Sequence, residues 1–372
     1  MKAALLRLAV AALAIVAVPR SVAGRGASAW LDGDVATEDA LAQTVIAAVL
    51  RQPTGIAYRT GETRFDGQAT VAIEQMALLG LGQIILAHPE KRDAYLPAMR
   101  VAAKHLASPA TLAYAAQVYG HNGLDQMGPG EGHAYLGYIN LGLGMLRRID
   151  PDADIAALND RLTEALAARI DRSTTGLIET YPGESWPPDV AAVVGSIGLH
   201  ARATGTDRTG LLDRWQARFE RCAVHAATGM LVQRTEKGAC TPADAPRGSG
   251  TAIAAYFLSF ATPELAGRLY AALGRSAYTQ IDGFGGFREY PDGFSGRGDL
   301  DAGPIVFGVS VGATGFGLGA ARAAGDRDRF VGLYRSTRLL GIPTTVDGRT
   351  VFAPGGALGN ALLLAMLTAG KR

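Results

Sequence analysis

The chain is poor in cysteine, histidine and charge. Of its 372 residues, two are cysteine, six are histidine and 19% are charged. Cys222 and Cys240 have only His225 nearby, too few ligands for a zinc site. In an exported protein such an isolated pair reads as a disulfide, with two buried thiols as the alternative. Lys and Arg number 36 against 34 Asp and Glu. A near-neutral chain with interspersed charges lacks the basic face that nucleic acid requires. P-loop, GxGxxG, HExxH and GxSxG patterns are absent, so nucleotide, zincin and serine-hydrolase chemistry find no support. No cofactor is expected.

Residues 1–29 read as a signal peptide and short N-terminal segment. Lys2 and Arg7 make a basic start, and an apolar run follows over 8–18. That run is short for a membrane span, which needs roughly 20 residues. Small residues at Ser21-Val22-Ala23 and Ala27-Ser28-Ala29 offer cleavage sites near Ala23 or Ala29. Removal of 1–23 takes the formal charge from +2 to −1. The mature protein is expected in the periplasm or secreted, without stable membrane insertion. Residues 30–372 are expected to form one domain.

What the chain has in abundance is helical pattern. Amphipathic stretches at 37–50 (with Thr37 as N-cap), 91–106, 154–170, 211–226 and 327–339 carry charge along one side, as surface helices do. The segment 263–273 is mixed. Between these lie stretches at 68–87, 131–146, 189–203, 249–260, 305–321 and 357–367 that are small and apolar all round, as buried helices are. Interior glycine costs a helix roughly 1 kcal/mol, a cost that makes sense where helices approach closely. Short extended pieces precede several buried helices: 175–182, 228–235, 285–291 and, more weakly, 55–59. The spacing of roughly 50–60 residues suits a hairpin plus loop. The expected fold is all-α, a ring of alternating inner and outer helices with short extended pieces in the connecting loops.

This organisation resembles the six-hairpin (α/α)6 toroid, in particular the six-hairpin glycosidases and the linalool dehydratase/isomerase-like proteins. The second likeness centres on Tyr181-Pro182-Gly183-Glu184 followed by 189–195. Gly183 stands where that group has its first cysteine, and the inner helix that follows has none. Chemistry resting on those cysteines is therefore not shared, and only Glu184 carries over. The resemblance implies a small-molecule or glycan substrate.

In such a ring, turns running from an outer into an inner helix open on one face. The turn before 189 supplies Tyr181, Glu184, Trp186 and Asp189, dense in acids and aromatics for a connection of its length. Loops on a rigid scaffold are where binding and catalytic groups concentrate. A second turn supplies Asp125, Glu131 and His133. A third, at 296–304, supplies Asp299 and Asp301, after Glu289 and Tyr290. Asp244 and Arg247 belong to a fourth. Paired carboxylates can divide acid and base roles, and Trp and Tyr offer flat faces to a sugar ring.

Glu184, Asp299, Asp125 and Glu131 are the expected catalytic acids, with Glu184 first. Tyr181, Trp186, Asp189, His133, Tyr290 and Arg247 are the expected substrate contacts. Asp301 is expected to serve the next helix start, leaving Asp299 free. Asp299, Asp301 and backbone carbonyls could hold calcium, but no EF-hand-like loop is present, and no metal is expected. The expected function is carboxylate acid/base chemistry on a carbohydrate, as a hydrolase or lyase. The alternatives are a hydro-lyase or isomerase acting on a small alcohol or terpenoid, and a non-catalytic toroid that binds a glycan or protein.

Overall fold

The apolar stretches fold as one closed ring. The structure, a computed structural model, describes residues 18–51, 67–127, 132–236 and 239–370. The inner helices are α3 (Gln68–Ala87), α6 (Leu136–Ile149), α8 (Pro187–Thr204), α10 (Gly248–Leu258), α12 (Val311–Ala324) and α14 (Gly356–Leu367). Each packs on the next, and α14 packs back on α3. Outside them run α2 (Val35–Arg51), α4 (Arg92–Leu106), α7 (Ala156–Arg172), α9 (Thr209–Ala223), α11 (Pro263–Ser276) and α13 (Arg327–Gly341). A helix at Ala27–Asp32, α1, precedes the ring, and Ala113–Tyr119, α5, lies in a connection. The fold is therefore the all-α toroid. Gln68–Ala87 is apolar and long enough to cross a membrane, yet it is a buried member of the ring.

Small residues let the inner helices close up. A Cβ on Gly137 would stand 2.5 Å from the Val193 amide of α8, and one on Gly195 would stand 2.5 Å from the Phe257 carbonyl of α10. Ring closure also uses side chains. The Gln83 amide of α3 donates to the Ala365 carbonyl at 2.8 Å, and the Tyr256 hydroxyl of α10 donates to Gln83 Oε1 at 3.1 Å. Such buried polar groups are costly unless paired, so their pairing fixes the register of the ring.

Inner-to-outer connections are short: 88–91, 150–155, 205–208, 259–262 and 325–326. Outer-to-inner connections are long, and they hold all eight strands assigned among the described residues. β1 (Glu184–Ser185) pairs with β2 (Thr235–Glu236), tying two long connections together. Hairpins form at Tyr278–Ile281 with Phe284–Phe287 (β3, β4), Ile305–Val306 with Val309–Ser310 (β5, β6), and Pro343–Val346 with Arg349–Phe352 (β7, β8).

Three local expectations are corrected. Residues 305–310 form a hairpin rather than the start of a helix. Ile305, Val306 and Val309 are β-branched, and the turn places Phe307 at φ 49° and Gly308 at φ 81°. Thr37 does not cap α2: the Asp34 carboxylate accepts from the Thr37 amide at 2.9 Å, and helix begins at Val35. Ordered structure also begins before residue 30. Ala27 and Trp30 of α1 are buried, and the Arg25 carbonyl accepts from Arg338 of α13. Cleavage near Ala23 leaves α1 whole, whereas cleavage after Ala29 divides it.

Cys222 and Cys240 are bridged, with Cα atoms 4.4 Å apart, joining α9 to the following connection. No cysteine remains for chemistry elsewhere in the chain.

Candidate active site

The long connections meet over the N-terminal ends of α8, α10 and α12. Trp186 is extended, and Pro187 and Pro188 start α8 without needing backbone donors. Asp189 therefore falls in the first turn and faces α6. There the Tyr138 hydroxyl donates to Asp189 Oδ1 at 2.5 Å. Asp189 does not cap its own helix, since no side chain caps α8. Burial pushes its carboxyl up to about 6, while the Tyr138 hydrogen bond pulls the other way. Burial and the Asp189 charge push the Tyr138 phenol well above its ordinary range, so it stays protonated.

The second wall is built at the start of α10. The Ser249 hydroxyl donates to Glu289 Oε1 at 2.8 Å, and the Ser249 amide to Oε2 at 3.3 Å. Glu289 is fully buried. Burial raises its carboxyl, assisted by the Asp299 charge. Arg247 stands between three acids. It donates to Asp299 Oδ2 at 2.8 Å and to Asp244 Oδ2 at 2.6 Å, and lies 3.9 Å from Glu289 Oε1. Its guanidinium also sits over the Tyr290 ring at 5.3 Å. Burial works against the Arg247 charge, but Asp299 and Asp244 outweigh it and hold the group cationic.

Asp301 completes the cluster. Burial, with the charges of Asp299, Asp189 and Glu289, pushes its carboxyl well above the carboxylate range. The expected division between Asp299 and Asp301 is reversed here. Asp299 holds its own turn, accepting from the Ala302 amide at 3.0 Å, and pairs with Arg247. Ser310 caps α12 instead of Asp301. The misread hairpin at 305–310 explains the reversal, because it moves the helix start away from Asp301. Among the described residues the result is an acid cluster around one cation, Arg247. Asp189, Glu289 and Asp301 are all raised above the ordinary carboxylate range, and carboxyls with pKa values pushed apart can divide acid and base roles.

The remaining expected residues lie around this cluster or away from it. Glu184 is half-buried in β1, and the Trp186 indole donates to its Oε2 at 3.2 Å. Tyr181 is buried close enough to raise the Tyr138 phenol by its charge. Tyr290 donates its hydroxyl to the Arg297 carbonyl at 2.8 Å. His133 belongs to a separate aromatic group, stacked on Tyr119 at 4.0 Å with Nε2 3.1 Å from His121 Nε2. Asp125 is exposed on the short turn Gly123–Gln126. Glu131 lies outside the described residues. Among the described residues no group of three or more His, Cys, Asp or Glu is placed to hold a metal.

Sequence reasoning missed Tyr138. It is the phenol of a small apolar helix, directly after Gly137 at the closest approach to α8. A polar aromatic beside such a contact is the signal that could have found it.

No protein-family model matches the chain, and no curated protein matches it. Among solved structures it is similar to one titled as a polysaccharide lyase, with a TM-score of 0.37 and 15% identity over 80% of this chain and 98% of that chain.

Proposed function

We propose that the protein is an exported enzyme performing carboxylate acid/base chemistry on a carbohydrate at the mouth of its ring. The observation carrying this reading is the Tyr138–Asp189 pair beside Asp301 and Glu289, with carboxyls pushed upward to different degrees. Asp189 serves as the base and Asp301 as the acid. Glu184, Trp186 and Tyr290 form the rim that meets the sugar, with Asp299 and Arg247 holding its far side. Acids with aromatic side chains beside them favour a sugar over a terpenoid. The disulfide supports export.

Two reactions fit this pair. In hydrolysis the protonated carboxyl gives its proton to the glycosidic oxygen while the ionised one takes a proton from water. In elimination the ionised group takes the proton from carbon beside a uronate carboxylate, and the acid protonates the departing oxygen. The test is incubation with a panel of neutral and uronate glycans, reading new reducing ends and the ultraviolet absorbance of unsaturated ends. Wild type should release ends, and Asp189→Asn should lower the rate roughly 100-fold or more, the scale of acid/base catalysis. Full activity in Asp189→Asn would overturn the assignment of the base. Inertness of the wild type across the panel would overturn the carbohydrate reading.

A further inference from the structure

The end of the ring opposite the mouth carries a cavity. Its volume is about 610 Å³, within the range of sites for small organic molecules. The walls come from the C-terminal parts of inner helices. Met145 of α6, Leu199 of α8 and Phe260 just after α10 give an apolar interior, with Leu86 of α3 exposed at its edge. Three arginines line the same space: Arg148, Arg202 and Arg322.

These arginines are not equivalent. Arg322 is tied to the backbone, donating to the Ala369 carbonyl at 2.5 Å and to the Trp30 carbonyl. Among the described residues Arg148 and Arg202 form no ion pair. Arg202 is open to solvent yet partly desolvated, and that desolvation, with the nearby Arg148 charge, depresses its guanidinium. Among the described residues Glu38 is the one acid lining the cavity, and His88 Nε2 lies 3.4 Å from its Oε2. Basic residues near helix C-termini are ordinary, because the helix dipole favours cations there. That accounts for one arginine on each helix. It does not account for two like charges sharing a rim over an apolar interior.

We infer that this cavity is a binding site for an amphipathic organic anion, with its acidic head between Arg148 and Arg202 and its apolar body against Met145, Leu199 and Phe260. An anion between the two guanidiniums relieves their repulsion, and Arg favours carboxylate or sulfonate through its planar fork of donors. The site is independent of the mouth chemistry.

The probe is 8-anilinonaphthalene-1-sulfonate, titrated into the folded protein by fluorescence and calorimetry. Wild type should bind one equivalent, decanoate should displace it, and decanol should not. Arg148→Gln with Arg202→Gln should weaken binding at least tenfold with an unchanged Tm, since both side chains are exposed. Raising the salt concentration should weaken wild-type binding as well. Asp189→Asn should bind the probe as wild type does. Absence of saturable binding, equal affinity in the double variant, or equal competition by decanol would each overturn the inference.

Discussion

The two ends of the ring differ in sign and in economy of chain. At the mouth, connections such as 173–186, 224–247 and 277–310 are long, and they bring acids over the helix N-termini. At the opposite end, connections such as 205–208 and 325–326 do little beyond reversing the chain, and arginines stand at the helix C-termini. Helix dipoles favour that distribution of charge, but they do not explain burial. Asp189 and Glu289 are buried deeply enough to hold protons upward of their ordinary range, whereas Arg148 and Arg202 remain exposed. Chain length is spent where charges must be buried and oriented.

The sharpest break of this contrast is removal of the cation at the mouth. Arg247→Ala leaves Asp299, Asp244 and Glu289 without their common partner. Breaking a fully buried ion pair costs about 3–5 kcal/mol; Asp299 and Asp244 are part-exposed, so the loss at pH 7 should fall at the lower end of that range, read as a drop in Tm. Arg148→Ala, at the other end, should change Tm little. Equal effects at both ends would dissolve the distinction.

The disulfide gives the next largest effect. It closes a loop with a sequence separation of 18. Cys222→Ser with Cys240→Ser should lower stability by about 3 kcal/mol on the chain-entropy account. Denaturant unfolding of the two forms measures it.

A smaller effect separates inner from outer helices. Gly137→Ala forces a methyl against the Val193 backbone of α8, and overpacking of this kind costs about 1–3 kcal/mol. Gly267→Ala sits on outer helix α11 with nothing within 4 Å of the new methyl. There helix propensity alone acts, and stability should rise by about 0.5–1 kcal/mol. Opposite signs sharpen the contrast between the two helix types, and matching signs would break it.

The same contrast explains what could be read from the sequence. The inner helices were legible because 68–87 or 357–367 have no polar face, a pattern that survives any packing detail. The direction of the long connections followed from alternation alone. The cluster was only partly legible. Asp189, Arg247 and Asp299 stood in turns already marked, but Tyr138 acquires its role from the register between α6 and α8, which no single helix encodes. Residues 305–310 are ambiguous in sequence because a short apolar run fits strand or helix equally well by period. The hairpin there, with Ser310 as the cap of α12, frees Asp301 from the helix start and leaves Asp299 to hold its own turn. His133 stands on the outer-to-inner connection before α6, where its ring packs with Tyr119 and His121.

The central claim is that Asp189 is a buried carboxyl held above its ordinary range for use as a base. Its pKa rises from 3.8 to about 6 on folding. The folded state therefore binds more protons between those values, and stability from this group is present below pH 3.8 and lost as pH rises through about 6. Asp189→Asn keeps an acceptor for Tyr138 and removes the titration. Thermal unfolding of wild type and Asp189→Asn at pH 4 and pH 8 tests the claim without knowledge of the substrate. The account predicts that the variant gains on wild type by about 1–3 kcal/mol between the two pH values. A difference between the two proteins that does not change with pH would contradict it.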